Sequence, residues 1–353
     1  MLRHQGDGYD TKAFFETLIS TGCKLRTQSN MKPLKIFTDV SVDDEAKGLF
    51  KSGVAPHEIV WGGKNAPSAL PKSESAPVAD AEIAFGQPGT TEILDASRLR
   101  WVHLSSAGYT RYDTPEFRKA MEDRKLIVTN SSTVYAEPCA EHVLAFMLAH
   151  ARRLPAALKT GNDFAKSSRH QLRSSSTKLR GQNVVILGFG SIARHLVGLL
   201  RPFNMRIVAT RRQPKGDEGI SIILPKDLRP ALATADHVVN LLPGNPDSSC
   251  FMAGPEFAAM KRGAAFYNIG RGTTVDQSAL LEALQSGQLG AAWLDVTDPE
   301  PLPPNHPLLS VPNCFITPHV AGGHENEPKM LVGHFLENFG RFLSDRPLLD
   351  RIF

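Results

Sequence analysis

Cysteine is scarce in this chain of 353 residues, and the four present, Cys23, Cys139, Cys250 and Cys314, are scattered with no CxxC pair. That spacing excludes the usual zinc-ligand patterns and a secreted disulfide framework, and it fits a reducing compartment. Long hydrophobic runs are also missing: no stretch approaches the eighteen apolar residues that would read as a membrane-spanning helix. Charge of one sign is not in excess either. Forty basic residues against 36 acidic give +4, too weak a bias to argue for nucleic acid or an anionic membrane surface. Residues 1–31 lack the apolar core of a signal peptide, and Asp7, Asp10 and Glu16 count against a transit peptide. They are expected to be an N-terminal extension, with the cytoplasm as the default location and no metal ion required.

What the sequence has is alternation. Its length suffices for two domains, each with its own core. Short runs rich in Val and Ile alternate with helical patterns, the signature of βαβ units around parallel sheets. The first third offers strands at 34–40, 57–62, 81–86, 99–105 and 126–130. Residues 137–153 space their apolar side chains as a long buried helix, with Pro138 expected in its first turn, where a missing N–H costs nothing. The polar, Ser-rich stretch 163–182 reads as a solvated connection. Six more strands follow, at 183–190, 206–212, 237–243, 264–270, 291–296 and 314–318, with a helix at 278–287 closed by Gly287. The tail from Glu327 reads as an amphipathic helix returning to the first domain. The fold class expected is α/β: two doubly wound parallel-sheet domains, a Rossmann cofactor domain and a flavodoxin-like, discontinuous substrate domain. The boundaries expected are 32–133 plus 321–353 for the substrate domain and 134–320 for the dinucleotide-binding domain, with a cleft between them.

At the junction of a buried strand and a helix stands Gly188-Phe189-Gly190-Ser191-Ile192-Ala193. The first glycine permits a tight turn, the second lets the backbone approach a pyrophosphate at the helix N-terminus, and Ala193 allows close helix–strand packing. At the end of the next strand, where an NAD site usually carries Asp or Glu, the residues are Thr210, Arg211 and Arg212. A carboxylate would repel a 2′-phosphate, whereas guanidinium groups can grip one through paired hydrogen bonds. NADP(H) is therefore the expected cofactor, with NAD(H) possible.

Three polar residues follow the later strands: Arg271 after 264–270, Glu300 after 291–296 and His319 after 314–318. Sites in open α/β sheets lie outside the carboxyl ends of the strands, so these ends are expected to converge. A guanidinium can hold a substrate carboxylate and polarise a keto oxygen. An imidazolium can protonate that oxygen as hydride arrives, a role typically worth ~10²–10⁴-fold. A carboxylate beside the imidazole fixes its tautomer. Glu300 lies in DPEPLPPNHPLL, residues 298–309, with five prolines in twelve residues. Such a stretch can be a spacer, but prolines on both sides of one carboxylate suit a rigid mount better.

The segment 268–322, NIGRGTTVDQSALLEALQSGQLGAAWLDVTDPEPLPPNHPLLSVPNCFITPHVAGG, resembles the signature of D-isomer-specific 2-hydroxyacid dehydrogenases. The resemblance runs from about residue 32 to the C-terminus. It implies Arg271 as substrate-binding arginine, Glu300 as orienting acid, His319 as acid/base, and Asp295 as a contact to the nicotinamide carboxamide. SSAGYTRYD, 105–113, resembles the family's substrate loop, which implies that Ser106, Ala107 and Gly108 hold the substrate carboxylate. NLLPGNPDSS resembles its cofactor loop, which brings in Leu242 and Pro243, with Ile269 and Gly270 beside Arg271. The segment 128–155 resembles its interdomain, dimer-forming stretch, so a homodimer is implied. Two departures are Thr110, where many members carry Asp, and Gly244-Asn245-Pro246, where Leu-Thr is common. Glu300 argues against formate as substrate, because formate dehydrogenases of this superfamily carry glutamine there.

The expected activity is reduction of a small 2-keto acid, of the glyoxylate, hydroxypyruvate or pyruvate class, to the D-2-hydroxy acid by NADPH. The alternatives are an NAD-linked phosphonate or hydroxyacid dehydrogenase with Arg211 and Arg212 idle, and a cofactor-sensing, corepressor-like binding module. His142, His150, His306 and His324 read as packing or surface residues.

Overall fold

The computed structural model describes residues 32–62, 78–161 and 166–353. The expected extension at 1–31 lies outside the described residues. The described residues divide into two compact units, the first running up to Val134 with Asn326–Phe353, the second Tyr135–Glu325.

The first unit holds a five-stranded parallel sheet of β1 (Lys35–Thr38), β2 (Glu58–Trp61), β3 (Ile83–Gly86), β4 (Trp101–Leu104) and β5 (Ile127–Thr129), in the order β2-β1-β3-β4-β5. Its strands are apolar on both faces, as a sheet covered on both sides requires. Phe37, Ala84, Val102 and Val128 share one core with Phe117 and Met121 of the helix Pro115–Arg124. On the other side the C-terminal helix, Glu327–Leu343, brings Phe335 against Phe85 and Trp101, with ring centroids 4.5 and 5.1 Å apart. The helix Pro115–Arg124 begins as its sequence dictates, with Thr114 accepting from the Phe117 N–H at 3.2 Å and proline in the first turn.

The second unit is built on seven parallel strands: β6 (Asn183–Leu187), β7 (Arg206–Thr210), β8 (Ser221–Ile223), β9 (His237–Asn240), β10 (Ala264–Asn268), β11 (Leu289–Leu294) and β12 (Cys314–Ile316). Their order, β12-β11-β10-β9-β6-β7-β8, reverses between β6 and β9, which is the switch point of a doubly wound sheet. Alternation along β6 divides the core. Val184 and Ile186 pack with Leu196 and Leu200 of the helix Ser191–Leu200, while Val185 and Leu187 pack with Leu228, Leu232, Phe257 and Leu280 on the opposite face. Each such side chain, fully removed from water, contributes about 1.5–3 kcal/mol.

Three elements differ from the sequence reading. A seventh strand, β8, extends the sheet at its edge beside β7. Part of the stretch taken as a solvated connection forms the helix Lys166–Ser175, whose last carbonyl accepts from the Arg153 side chain at 3.2 Å. The long helix runs Ser132–Ala151, so Pro138 lies inside it rather than in its first turn. Its start is fixed by tertiary capping: the Thr133 N–H donates to the Asp350 carboxylate at 2.8 Å, a partner 217 residues away.

Candidate active site

Every strand of the second unit between the switch point and the edge delivers a loop at its carboxyl end, and each loop carries one of the expected groups. After β6 the turn at Gly188 has φ +88°, a conformation closed to side chains with a Cβ. The Gly188 N–H donates to the Thr210 hydroxyl at 3.0 Å. Thr210 is buried and supports the glycine loop from behind. Gly190 is the N-cap of the helix Ser191–Leu200 and supplies no side-chain cap, and the space where its Cβ would project is open. A helix N-terminus with uncapped N–H groups and an open approach fits a dinucleotide pyrophosphate. Phe189 is buried with the Arg194 guanidinium over its ring at 5.0 Å, and Ile192 is partly buried against the same core. At the end of β7, Arg211 pairs with Glu218 at 3.1 Å and Arg212 with Asp247 at 2.6 Å. Glu218 also accepts from the Lys215 and Gly216 N–H groups, which hold its carboxyl below the ordinary value.

The loops after β9 and β10 lock together. Asn240 and Asn268, both buried, bond to each other at 3.0 Å, and Asn240 donates to Thr274 at 2.7 Å. Asn268 and Thr274 both donate to the Arg271 carbonyl, at 3.1 and 2.6 Å, and Asn268 accepts from the Gly270 N–H. Asn240 accepts from the Leu242 N–H at 3.3 Å, its carbonyl accepts from the Ile269 N–H, and the Pro243 carbonyl accepts from Ser248. This network was not legible in the sequence, although asparagine at the ends of two buried strands was its one signal. Burial lowers the pKa of the Arg271 guanidinium, the Glu300 charge opposes that shift, and arginine remains a cation throughout. At Gly272 a Cβ would stand 2.0 Å from the Thr297 carbonyl, so only glycine lets the Arg271 loop abut the loop that leads to Glu300.

His319 Nδ1 stands 2.5 Å from Glu300 Oε1, a charge-assisted hydrogen-bond distance. The Nε2 atom has no hydrogen-bond partner among the described residues. His319 is held at φ +52°, uncommon for a residue with a Cβ. Its N–H donates to the Asp295 carbonyl at 3.0 Å, and the Asp295 side chain does the rest. One carboxylate oxygen accepts from the Thr317 hydroxyl at 2.6 Å and the Val320 N–H at 2.9 Å, and the other from the Ala321 N–H at 2.9 Å. Asp295 is 2% exposed. With three internal donors it clamps the His319 loop. His142, expected as a packing or surface residue, places Nε2 3.3 Å from the Thr317 hydroxyl and 3.9 Å from Asp295. Burial lowers the pKa of His142, with Asp295 opposing, while Cys139 is pushed up to about 12 by burial and by Asp295, with Arg271 opposing. A cavity of about 420 Å³ adjoins Glu300 and His319, walled by Leu302, Leu309, Ile316 and Pro318.

The expected substrate loop belongs to the first unit and follows β4. The Ser106 and Ala107 carbonyls accept from the Ser131 N–H at 3.1 Å and the Asn130 side chain at 2.7 Å, and Gln87 donates to the Ser106 hydroxyl at 2.8 Å. The N–H groups of Ala107 and Gly108 have no partner among the described residues. Among those residues, no group of three or more His, Cys, Asp or Glu could hold a metal ion, and no helix is long and apolar enough to cross a membrane.

Residues 144–321 match the family model described as D-isomer specific 2-hydroxyacid dehydrogenase, NAD binding domain. The chain is 35% identical over 235 residues to the glyoxylate reductase/hydroxypyruvate reductase of Mus musculus, covering 65% of this chain and 70% of the mouse protein. It is 34% identical over 260 residues to glyoxylate/hydroxypyruvate reductase B of Citrobacter koseri, covering 70% and 78%. Among solved structures it is similar to a D-isomer specific 2-hydroxyacid dehydrogenase from Xanthobacter autotrophicus Py2 in complex with NADPH and MES. That likeness has a TM-score of 0.73 at 25% identity, over 91% of this chain and 98% of the other. With two parallel-sheet units and a glycine turn at the switch point of the second, the chain belongs to the D-isomer specific 2-hydroxyacid dehydrogenase family, and it is an NAD(P)-dependent enzyme.

Proposed function

We propose that this enzyme reduces a small 2-keto acid, of the glyoxylate, hydroxypyruvate or pyruvate class, to the D-2-hydroxy acid, with NADPH as the preferred reductant. The observation that carries the reading is the 2.5 Å approach of His319 Nδ1 to Glu300, beside a half-buried Arg271 that feels the Glu300 charge. The reduced nicotinamide, when bound, supplies a hydride. Arg271 holds the substrate carboxylate and polarises the keto oxygen. Glu300 accepts from Nδ1 and so fixes the ring, and Nε2 of the imidazolium delivers the proton to the developing alkoxide. In the first unit, Ser106, Ala107 and Gly108 are the proposed substrate-carboxylate loop, as the resemblance implies. The Gly188–Ile192 turn would hold the pyrophosphate, Leu242, Pro243, Ile269 and Gly270 would add further cofactor contacts, and a homodimer is the proposed assembly.

The preference for NADPH rests on Arg211 and Arg212, with no carboxylate at the end of β7. A second reading, NADH use, is favoured by the same pair, because both guanidiniums already have carboxylate partners. Rates with glyoxylate, hydroxypyruvate and pyruvate, measured side by side with NADPH and NADH, test both. Turnover of none of them sinks the substrate class, and equal efficiency with the two cofactors sinks the preference.

A further inference from the structure

The last residues of the chain reach the expected substrate loop through an unbroken set of hydrogen bonds, all within the first unit. Asn338 of the C-terminal helix is buried and brackets Leu349, donating to its carbonyl at 3.2 Å and accepting from its N–H at 2.7 Å. Asp350 follows at φ +51°. Its carbonyl accepts from the Asn130 N–H at 3.0 Å, and its carboxylate accepts from the Thr133 N–H at 2.8 Å. His334 Nε2 lies 3.2 Å from the same carboxylate oxygen, at ion-pair distance though not aligned as a hydrogen bond. Burial pushes the Asp350 carboxyl up, but His334 and Thr133 outweigh it and leave the group below its ordinary value. Beyond it, Arg351 bridges to Thr129, and the Ile352 N–H donates to the Val128 carbonyl at 2.8 Å. Asp350 therefore fixes Asn130 through Thr133, the residues that follow β5.

Those residues aim the loop. The Asn130 side chain donates to the Ala107 carbonyl and the Ser131 N–H to the Ser106 carbonyl. A trans peptide is planar, with its C=O and N–H on opposite sides. Fixing the Ser106 carbonyl thus turns the Ala107 N–H the other way, and fixing the Ala107 carbonyl does the same for the Gly108 N–H. Neither N–H donates within the described residues. Two adjacent backbone donors held by their own carbonyls make a preorganised seat for a carboxylate. We infer that Asp350 is a positioning residue for substrate carboxylate recognition, acting through Asn130 and Ser131 on the amides of Ala107 and Gly108. The inference rests on the reading of that loop as the carboxylate seat.

The experiment compares a 2-keto acid that turns over, such as pyruvate or hydroxypyruvate, with its neutral 2-keto amide, at saturating NADPH, in the wild type and in D350A and D350N. The wild type is expected to prefer the acid. D350A is expected to lose about tenfold of that preference, through a higher KM for the acid, as follows from misaiming hydrogen bonds to a charged group. Its KM for NADPH and its kcat/KM for the amide stay near wild type. D350N keeps an oxygen for the Thr133 N–H and is expected to fall between the two, so it carries the same comparison if D350A does not fold. A parallel decline with both substrates, leaving the acid-to-amide ratio unchanged, would mean that Asp350 only supports folding, and would overturn the inference. A wild type with no preference for the acid would overturn the carboxylate-seat reading itself, and the inference with it, before any variant is examined.

Discussion

Replacing Asp295 by asparagine changes one carboxylate oxygen to an amide nitrogen and leaves the volume almost unchanged. In the wild type the two oxygens accept three donors, the Thr317 hydroxyl and the N–H groups of Val320 and Ala321. Whichever way the new amide turns, its NH₂ must face at least one of them, and donor meets donor in a site 2% exposed. An unsatisfied buried donor costs about 1–3 kcal/mol. For a unit of this size that lowers Tm by roughly 2–4 °C per kcal/mol, so a fall of about 4–8 °C is expected for the middle of that range. The released loop carries His319, and misplacing a catalytic group by about 1 Å costs on the order of 10²-fold in rate. Thermal unfolding, steady-state kinetics and cofactor titration on one preparation give all three quantities. The account predicts a lower Tm, a kcat down about a hundredfold by the same misplacement argument, and a cofactor Kd near wild type. An unchanged Tm with a weakened cofactor Kd would refute it and restore Asp295 to direct contact with the cofactor.

Other substitutions probe separate parts of the second unit. Arg211→Ala is expected to lower kcat/KM for NADPH by roughly 10–100-fold, the worth of a charge-assisted contact, and to leave NADH kinetics unchanged; equal losses with both cofactors would count against a 2′-phosphate role. His237 is pushed down to about 3 by burial and by neighbouring His150, with Asp236 opposing, and His150 down to about 4 by burial and by the Arg153 charge. A base whose folded pKa is depressed gives stability that is full above its unfolded pKa of about 6.5 and is lost as pH falls toward the folded value. Urea unfolding is expected to show a loss of about 2 kcal/mol per histidine between pH 7.5 and pH 5, less if the two act together. His237→Gln removes its share of that slope, and a wild-type stability flat over this range would contradict the burial argument.

The parts of this molecule legible in its sequence were those coded by local pattern. Buried strands such as Asn183–Leu187 and Ala264–Asn268 announced themselves as apolar runs, and a parallel sheet places the residues after its strands at one end. That is why Arg271, Glu300 and His319 could be read as a set before their geometry was known. The edge strand Ser221–Ile223 has only three residues, too few to mark a strand clearly, and the helix Lys166–Ser175 has no apolar face long enough to distinguish it from a polar loop. The start of the long helix was misplaced because its first turn lies before the apolar spacing begins and shares its cap between Asn130, for the Ser132 N–H, and the remote Asp350, for the Thr133 N–H. The same physics hid the second layer of the site. Asn240, Asn268 and Thr274 hold Arg271, and Asp295 with Thr317 holds His319, through hydrogen bonds between separate strands.

In the proposed reaction His319 delivers a proton to a 2-keto acid while Glu300 orients its ring. This step is tested most directly by NADPH oxidation with hydroxypyruvate or glyoxylate in the wild type and in His319→Ala, with cofactor affinity measured on both. The account predicts turnover in the wild type, a loss of about 10²–10⁴-fold in kcat in the variant, and an NADPH Kd near that of the wild type. Undiminished turnover in His319→Ala would contradict it.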